Sequence, residues 1–217
     1  MTRTLFDNEL HGIRSAIQTL GELAREATAR AVQAAGGSIM VPPMPVGSEG
    51  TMLVAVDSAG AVIGFWQPDE HHGFSQRGEH GTPYWFESHS TDYAKSVDFY
   101  TRVLGARIEE VGTGGDPDAV GPDVYGQVFT GDLAYMGIMD SAKILPAGTG
   151  SFWQVYVTVD DVADTVAQVE SLGGSVLMGP EVTPYGTLAT SILSPQPTLL
   201  EGHHEEESHA TAGATTA

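Results

Sequence analysis

A repeated pattern is the feature that most constrains this chain. Pro83 opens a run of strand, helix and strands: YWFESHS, DYAKSVDFYTRVLG, ARIEEV, YGQVFTG and LAYMGIMD. After the loop AKILPAGTG the order returns as FWQVYVTVD, DVADTVAQVESLGG, SVLMG, TLATSIL and TLLEG. Placing Asp92 on Asp161 sets Val97 on Val166, Val103 on Leu172 and Gly105 on Gly174, a spacing of roughly 70 residues between equivalent positions. A third, partial copy precedes both, because GGSIMVPPMPVGSEGTMLVAVDSAGAVIGFW tracks GGSVLMGPEVTPYGTLATSILSPQPTLLEG with one-residue slips. The repeat therefore predicts three βαβββ units, two of them complete, in an α+β fold.

Local signals place the elements. Leu10, Ile13, Ile17, Leu20, Leu23, Ala27 and Ala31 recur at three- and four-residue steps, which predicts a helix over the first 35 residues, stopped by Gly36 and Gly37. Strand-like runs follow at Ser38 to Val41, Thr51 to Val56 and Ala61 to Trp66. In the next unit Asp92 reads as an N-cap, Val97, Tyr100, Val103 and Leu104 as an apolar stripe, and Gly105 as the helix stop. The domain expectation is therefore an N-terminal helix with a partial unit over 1–73, a linker at 74–82, a complete module over 83–204 and a disordered tail at 205–217.

Composition narrows the function. With 9 Lys plus Arg against 28 Asp plus Glu, the formal net charge of -19 repels phosphate backbones and anionic membranes, so no nucleic-acid or membrane partner is expected. The absence of cysteine rules out disulfides, thiolate nucleophiles and Cys-based zinc sites. Asp7, Glu9 and His11 interrupt the N-terminus before any apolar run of signal-peptide length, and no stretch is long enough to cross a bilayer, so a cytoplasmic location is expected. No Gly-rich phosphate loop follows a strand, and Ser194 lacks a nucleophile-elbow context.

The runs FESHSTDYAKSVDFYTRVLG and VYVTVDDVADTVAQVESLGGSV resemble the first strand and helix, and the fifth strand and second helix, of the vicinal-oxygen-chelate superfamily of glyoxalases, bleomycin-resistance proteins and extradiol dioxygenases. A narrower likeness is to two-module, actinobacterial-type glyoxalase-like proteins often labelled hydroxylases, here with an incomplete N-terminal module; WFESHSTD, GIMD and TPYGTLAT carry it. The resemblance implies a mixed sheet curled into a cup around a small-molecule site. Metal-dependent members place ligands on the first, fifth and last strands, positions that fall here on Trp85, Gln154 and Glu201. An indole cannot ligate, an amide oxygen is a neutral donor, and one carboxylate does not make a ferrous or zinc site. No metal cofactor is expected.

Strand alternation, applied to that arrangement, turns Trp85, Glu87 and His89 to one face of the first strand and Gln154, Tyr156 and Thr158 to the same face of the fifth. Tyr84, Phe86, Trp153, Val155 and Val157 then pack under the helices. The expected ligand-binding set is Trp85, Glu87, His89, Gln154, Tyr156 and Glu201, with Leu199 beside them and Tyr185 at the mouth. Two readings stand for Glu87 and His89: an acid/base pair or a self-satisfied polar floor. Aromatic residues such as Trp85 and Tyr156 are commonly packing residues too. The histidines at 71, 72, 80, 203, 204 and 209 lie in polar segments and read as adventitious metal binders. The first functional expectation is metal-free binding of a small hydrophobic or aromatic molecule. The second is an enzyme, a lyase or oxidoreductase of the glyoxalase, dioxygenase or hydroxylase kind. A homodimer is expected, because the partial unit has no upstream partner for its apolar sheet face; the competing reading folds the helix of residues 8 to 35 back over that face with Leu10, Ile13, Ile17 and Leu20 and leaves a monomer.

Overall fold

The computed structural model describes residues 23–76, 78–112, 124–183 and 186–193. It is an α+β structure of three helices and ten strands among the described residues, and the chain divides into two compact units at Thr158 and Val159.

The first unit opens on helix α1, whose described part covers 23–34. Strands β1 (Ser38–Val46), β2 (Gly50–Val56) and β3 (Val62–Pro68) follow as an antiparallel meander. β1 is longer than the run from Ser38 to Val41 because Met44, Pro45 and Val46 continue to pair with β2 beyond an irregularity at its prolines. Next come β4 (Pro83–Ser90), α2 (Tyr93–Leu104), β5 (Arg107–Gly112), β6 (Val124–Thr130), β7 (Leu133–Asp140) and β8 (Phe152–Val157). These five strands form one sheet in the order β5-β6-β7-β4-β8, in which β4 and β7 run parallel and the other neighbours antiparallel.

α2 starts where Asp92 accepts a hydrogen bond from the Lys95 backbone N–H, 3.2 Å away, and ends at Gly105, whose φ of 63° suits a residue without Cβ. Its buried face is Ser96, Phe99 and Tyr100. Leu104, expected in the apolar stripe, is 41% exposed at the last position of α2, and Phe99, outside the expected stripe, is buried. Phe99 and Tyr100 join Val32 within α1 and Ala35 just after it, Leu53 and Ala55 of β2, and Val128, Met136 and Ile138 of β6 and β7 in one core. The α1 to β3 segment thus shares its interior with the βαβββ unit that follows it.

The second unit contains α3 (Val162–Ser171), β9 (Gly174–Thr183) and β10 (Gly186–Leu193). Asp161 caps α3 by accepting from the Asp164 N–H at 2.8 Å, as Asp92 caps α2, and β9 and β10 form an antiparallel hairpin. The repeat legible in the sequence is therefore a structural one. No helix among the described residues is long and apolar enough to cross a membrane.

Candidate functional site

The face of the five-stranded sheet opposite α2 gathers the polar residues. On β4, Trp85 pairs with Tyr156 of β8, Glu87 with Gln154 and His89 with Phe152, so the residues of the two strands stand in lateral pairs. The neighbours on β4 turn the other way: Ser88 and Ser90 are fully buried, and Phe86 packs against the core containing Phe99 and Tyr100. Not every alternate position is covered. Tyr84, Val155 and Val157, expected to pack under helices, are 52%, 50% and 50% exposed, whereas Trp153 does reach the core by stacking edge-on against Tyr100. β8 is the edge strand of its sheet, and the part of β4 and β8 that packs against the core of α2 is Phe86 and Trp153.

Glu87 is the centre of this face and is 5% exposed. Its Oε2 accepts from the Tyr125 hydroxyl at 2.9 Å and its Oε1 from the Tyr156 hydroxyl at 3.0 Å. The Trp85 indole N–H donates to the Tyr125 oxygen at 2.8 Å. A buried carboxylate is costly unless its lone pairs are occupied, and two phenol donors occupy them. Burial pushes the Tyr125 phenol far above its ordinary value of 10.0, and the neighbouring Glu87 charge pushes the same way, so this hydroxyl stays protonated and donates.

His89 completes the group. Its Nε2 lies 3.3 Å from Glu87 Oε1, within ion-pair range when the imidazole is protonated. The approach is off the line of a hydrogen bond, and Nε2 has no hydrogen-bond partner among the described residues. Nδ1 is 3.1 Å from Ser141 Oγ, and the ring stacks on Phe152 with centroids 4.7 Å apart.

Tyr125 was absent from the expected set although it bridges Trp85 and Glu87. It sits on β6, two strands from β4, and reaches Glu87 by lying across Gly137 of β7, which pairs with Glu87. A Cβ at position 137 would collide with the Tyr125 phenol. The glycine inside LAYMGIMD was the available signal, because a glycine within a strand often marks a close approach from a neighbour.

Trp85, Glu87, His89, Gln154 and Tyr156 are thus brought together on one face. Glu201, Leu199, Tyr185 and the histidines at 203, 204 and 209 lie outside the described residues. Of the three ligand positions that the resemblance implies, Glu201 is not among the described residues. The indole N–H of Trp85 is a donor already directed at Tyr125, which leaves Gln154 as the one described residue of the three ligand positions able to offer an oxygen. His71, between β3 and the segment 74–82, makes an edge-on ring contact with Trp66 and accepts the Trp66 indole N–H at its carbonyl.

A family model described as the Glyoxalase/Bleomycin resistance protein/Dioxygenase superfamily matches residues 85–201, more than half of the chain. The chain belongs to this superfamily. Among curated relatives, the anthracycline biosynthesis proteins DnrV of Streptomyces peucetius and DauV of Streptomyces sp. (strain C5) are each 30% identical over 184 residues, 84% of this chain. The chain spans 63% of the length of each. A protein named "Putative glyoxylase CFP32" of Mycobacterium tuberculosis (strain CDC 1551 / Oshkosh) is 32% identical over 98 residues, 45% of this chain and 36% of the relative.

Proposed function

We propose that this glyoxalase-superfamily chain binds a small hydrophobic or aromatic molecule on the Trp85, Glu87, His89, Gln154 and Tyr156 face, without a metal ion. The observation that carries the reading is the Glu87 network. A buried carboxylate held by two phenols beside an indole is a rigid, aromatic-walled polar centre, which is how small-molecule sites fix orientation. The names of DnrV and DauV agree with it, since anthracyclines are fused aromatic ring systems. The strongly acidic chain also favours ligands carrying positive charge. Naphthalene titrated into the intact protein tests the reading: quenching of tryptophan fluorescence is expected and should vanish in Trp85→Phe. Equal quenching in that variant would remove Trp85 from the site.

One observation favours catalysis as the second reading. The Glu87 and His89 side chains are 3.3 Å apart, and the imidazole Nε2 has no hydrogen-bond partner among the described residues, as suits a group that exchanges a proton with a bound molecule. In that case Glu87 orients His89 and the activity is of the lyase or oxidoreductase kind found in the superfamily. Turnover that disappears in His89→Gln while naphthalene binding persists would establish it.

A further inference from the structure

The oxygen of Tyr125 sits in a position defined by two other groups. It accepts from the Trp85 indole N–H at 2.8 Å and donates to Glu87 Oε2 at 2.9 Å. A single atom that must accept from one side and donate to a carboxylate on the other is a hydroxyl oxygen. An ammonium has no lone pair for the indole. A carbonyl has no proton for the carboxylate, and a second carboxylate would face Glu87 as a like charge. Gly137 adds the shape, because the strand beneath has no Cβ and a flat ring can bring its hydroxyl close to the backbone there.

From this geometry we infer that Trp85, Glu87 and Gly137 form a subsite for a phenol, which Tyr125 fills with its own side chain, and that the ligand of this face carries an aromatic hydroxyl that takes Tyr125's place. The inference rests on the aromatic-binding reading above and adds the chemical class of the ligand. The exchange replaces one phenol by another between the same donor and acceptor, so its hydrogen-bond cost is small. The outcome is set by what the rest of the ligand gains from the aromatic wall of Trp85 and Tyr156. Tyr125 thereby acts as a plug that keeps the Glu87 carboxylate satisfied while no ligand is bound. An aromatic molecule that lacks a hydroxyl can lie against the Trp85 and Tyr156 wall but cannot take the plug's place, since that would leave the indole N–H and the carboxylate unpaired. Glu87 Oε1 stays with the Tyr156 hydroxyl throughout.

The test compares 2-naphthol with naphthalene on the full chain by calorimetry and fluorescence. In Tyr125→Ala the plug is gone, and 2-naphthol should bind about tenfold more tightly than to the unchanged protein and about tenfold more tightly than naphthalene, the worth of two hydrogen bonds. Tyr125→Val serves the same purpose with a residue that suits a strand, should the alanine variant not fold. Adding Gly137→Ala to either variant places a methyl where the phenol oxygen sits and should abolish the gain. Tyr125→Phe keeps the ring over Gly137 and should bind 2-naphthol no more tightly than the unchanged protein.

Naphthalene binding as tight as that of 2-naphthol in the opened variants, or no gain over the unchanged protein in either, overturns the phenol subsite. Those results leave the aromatic-binding reading standing wherever naphthalene quenches Trp85 in the unchanged protein. Absence of binding by both probes, in the unchanged protein and in the opened variants, overturns the broader reading together with the subsite.

Discussion

The hydroxyl of Tyr100, in α2, donates to Oδ2 of Asp57 at 2.6 Å across 43 positions of sequence. Asp57 is buried, its Oδ1 accepts from the backbone N–H groups of Ala59 and Ala61 in the turn between β2 and β3, and the Tyr100 oxygen in turn accepts from the Trp153 indole at 3.0 Å. This chain of hydrogen bonds ties the hairpin of the partial unit to α2 and to β8. Tyr100→Phe leaves a carboxylate oxygen and an indole N–H unpaired in the interior and should cost about 1–3 kcal/mol. The midpoint of urea unfolding, followed by tryptophan fluorescence, measures it; a midpoint within error of the unchanged protein would show that the link contributes nothing.

The same phenol sets the alkaline limit. Burial, then the Asp57 charge, raises Tyr100 far above its ordinary 10.0; burial and Glu87 do so for Tyr125; burial and the Glu110 charge push Tyr93 up to about 12. Below pH 10 these phenols are protonated in both folded and unfolded chains, and their contribution is fully present. Above it the unfolded chain releases protons that the folded chain keeps, so stability falls as pH rises through 12, by about 1.4 kcal/mol per pH unit for each phenol retained. Tyr93, only partly buried, adds less. Urea midpoints at pH 8 and 11 should differ, and Tyr100→Phe should narrow the difference.

Glu87→Ala should destabilise the protein by at least about 1.5–3 kcal/mol, because it strips the acceptor from two phenol donors and opens a cavity among them. Glu87→Gln keeps an acceptor oxygen and should recover part of the loss. Thermal unfolding of the two variants compares them directly; equal melting temperatures would show that acceptance from Tyr125 and Tyr156 carries no weight.

Elemental analysis of dialysed protein is expected to find less than about one tightly bound divalent ion per chain, since an indole and a neutral amide do not supply a ligand set. A stoichiometric ion that is lost in Glu201→Ala would contradict metal-free binding.

One sheet face is apolar and open. Met44, Met52 and Trp66 form a row across β1, β2 and β3, with Met40 and Val62 also exposed, while Leu53 and Ala55 on the opposite face are buried. In a chain of net charge -19 an uncharged face is where two copies can approach most closely, so a dimer through this face is expected, strengthened by salt that screens the remaining repulsion. Light scattering coupled to size exclusion should give a dimer mass at tens of micromolar and a monomer in Met44→Glu. A monomer for the unchanged protein at both low and high salt would refute it.

The sequence by itself determined the repeat, the cap at Asp92, the helix stop at Gly105 and which residues of β4 share a face. All of these are local: a capping carboxylate, a glycine with positive φ and a period of two act within a few residues. Only the tertiary structure decided what occupies Glu87. Tyr125 comes from two strands away, over Gly137, and strand order and register are set by long-range pairing that no local pattern encodes. The same holds for Asp57 and Tyr100, whose hydrogen bond exists because α2 lies against the meander of the partial unit. Spacing along the chain shows which face a residue takes, and packing between elements decides what it meets there.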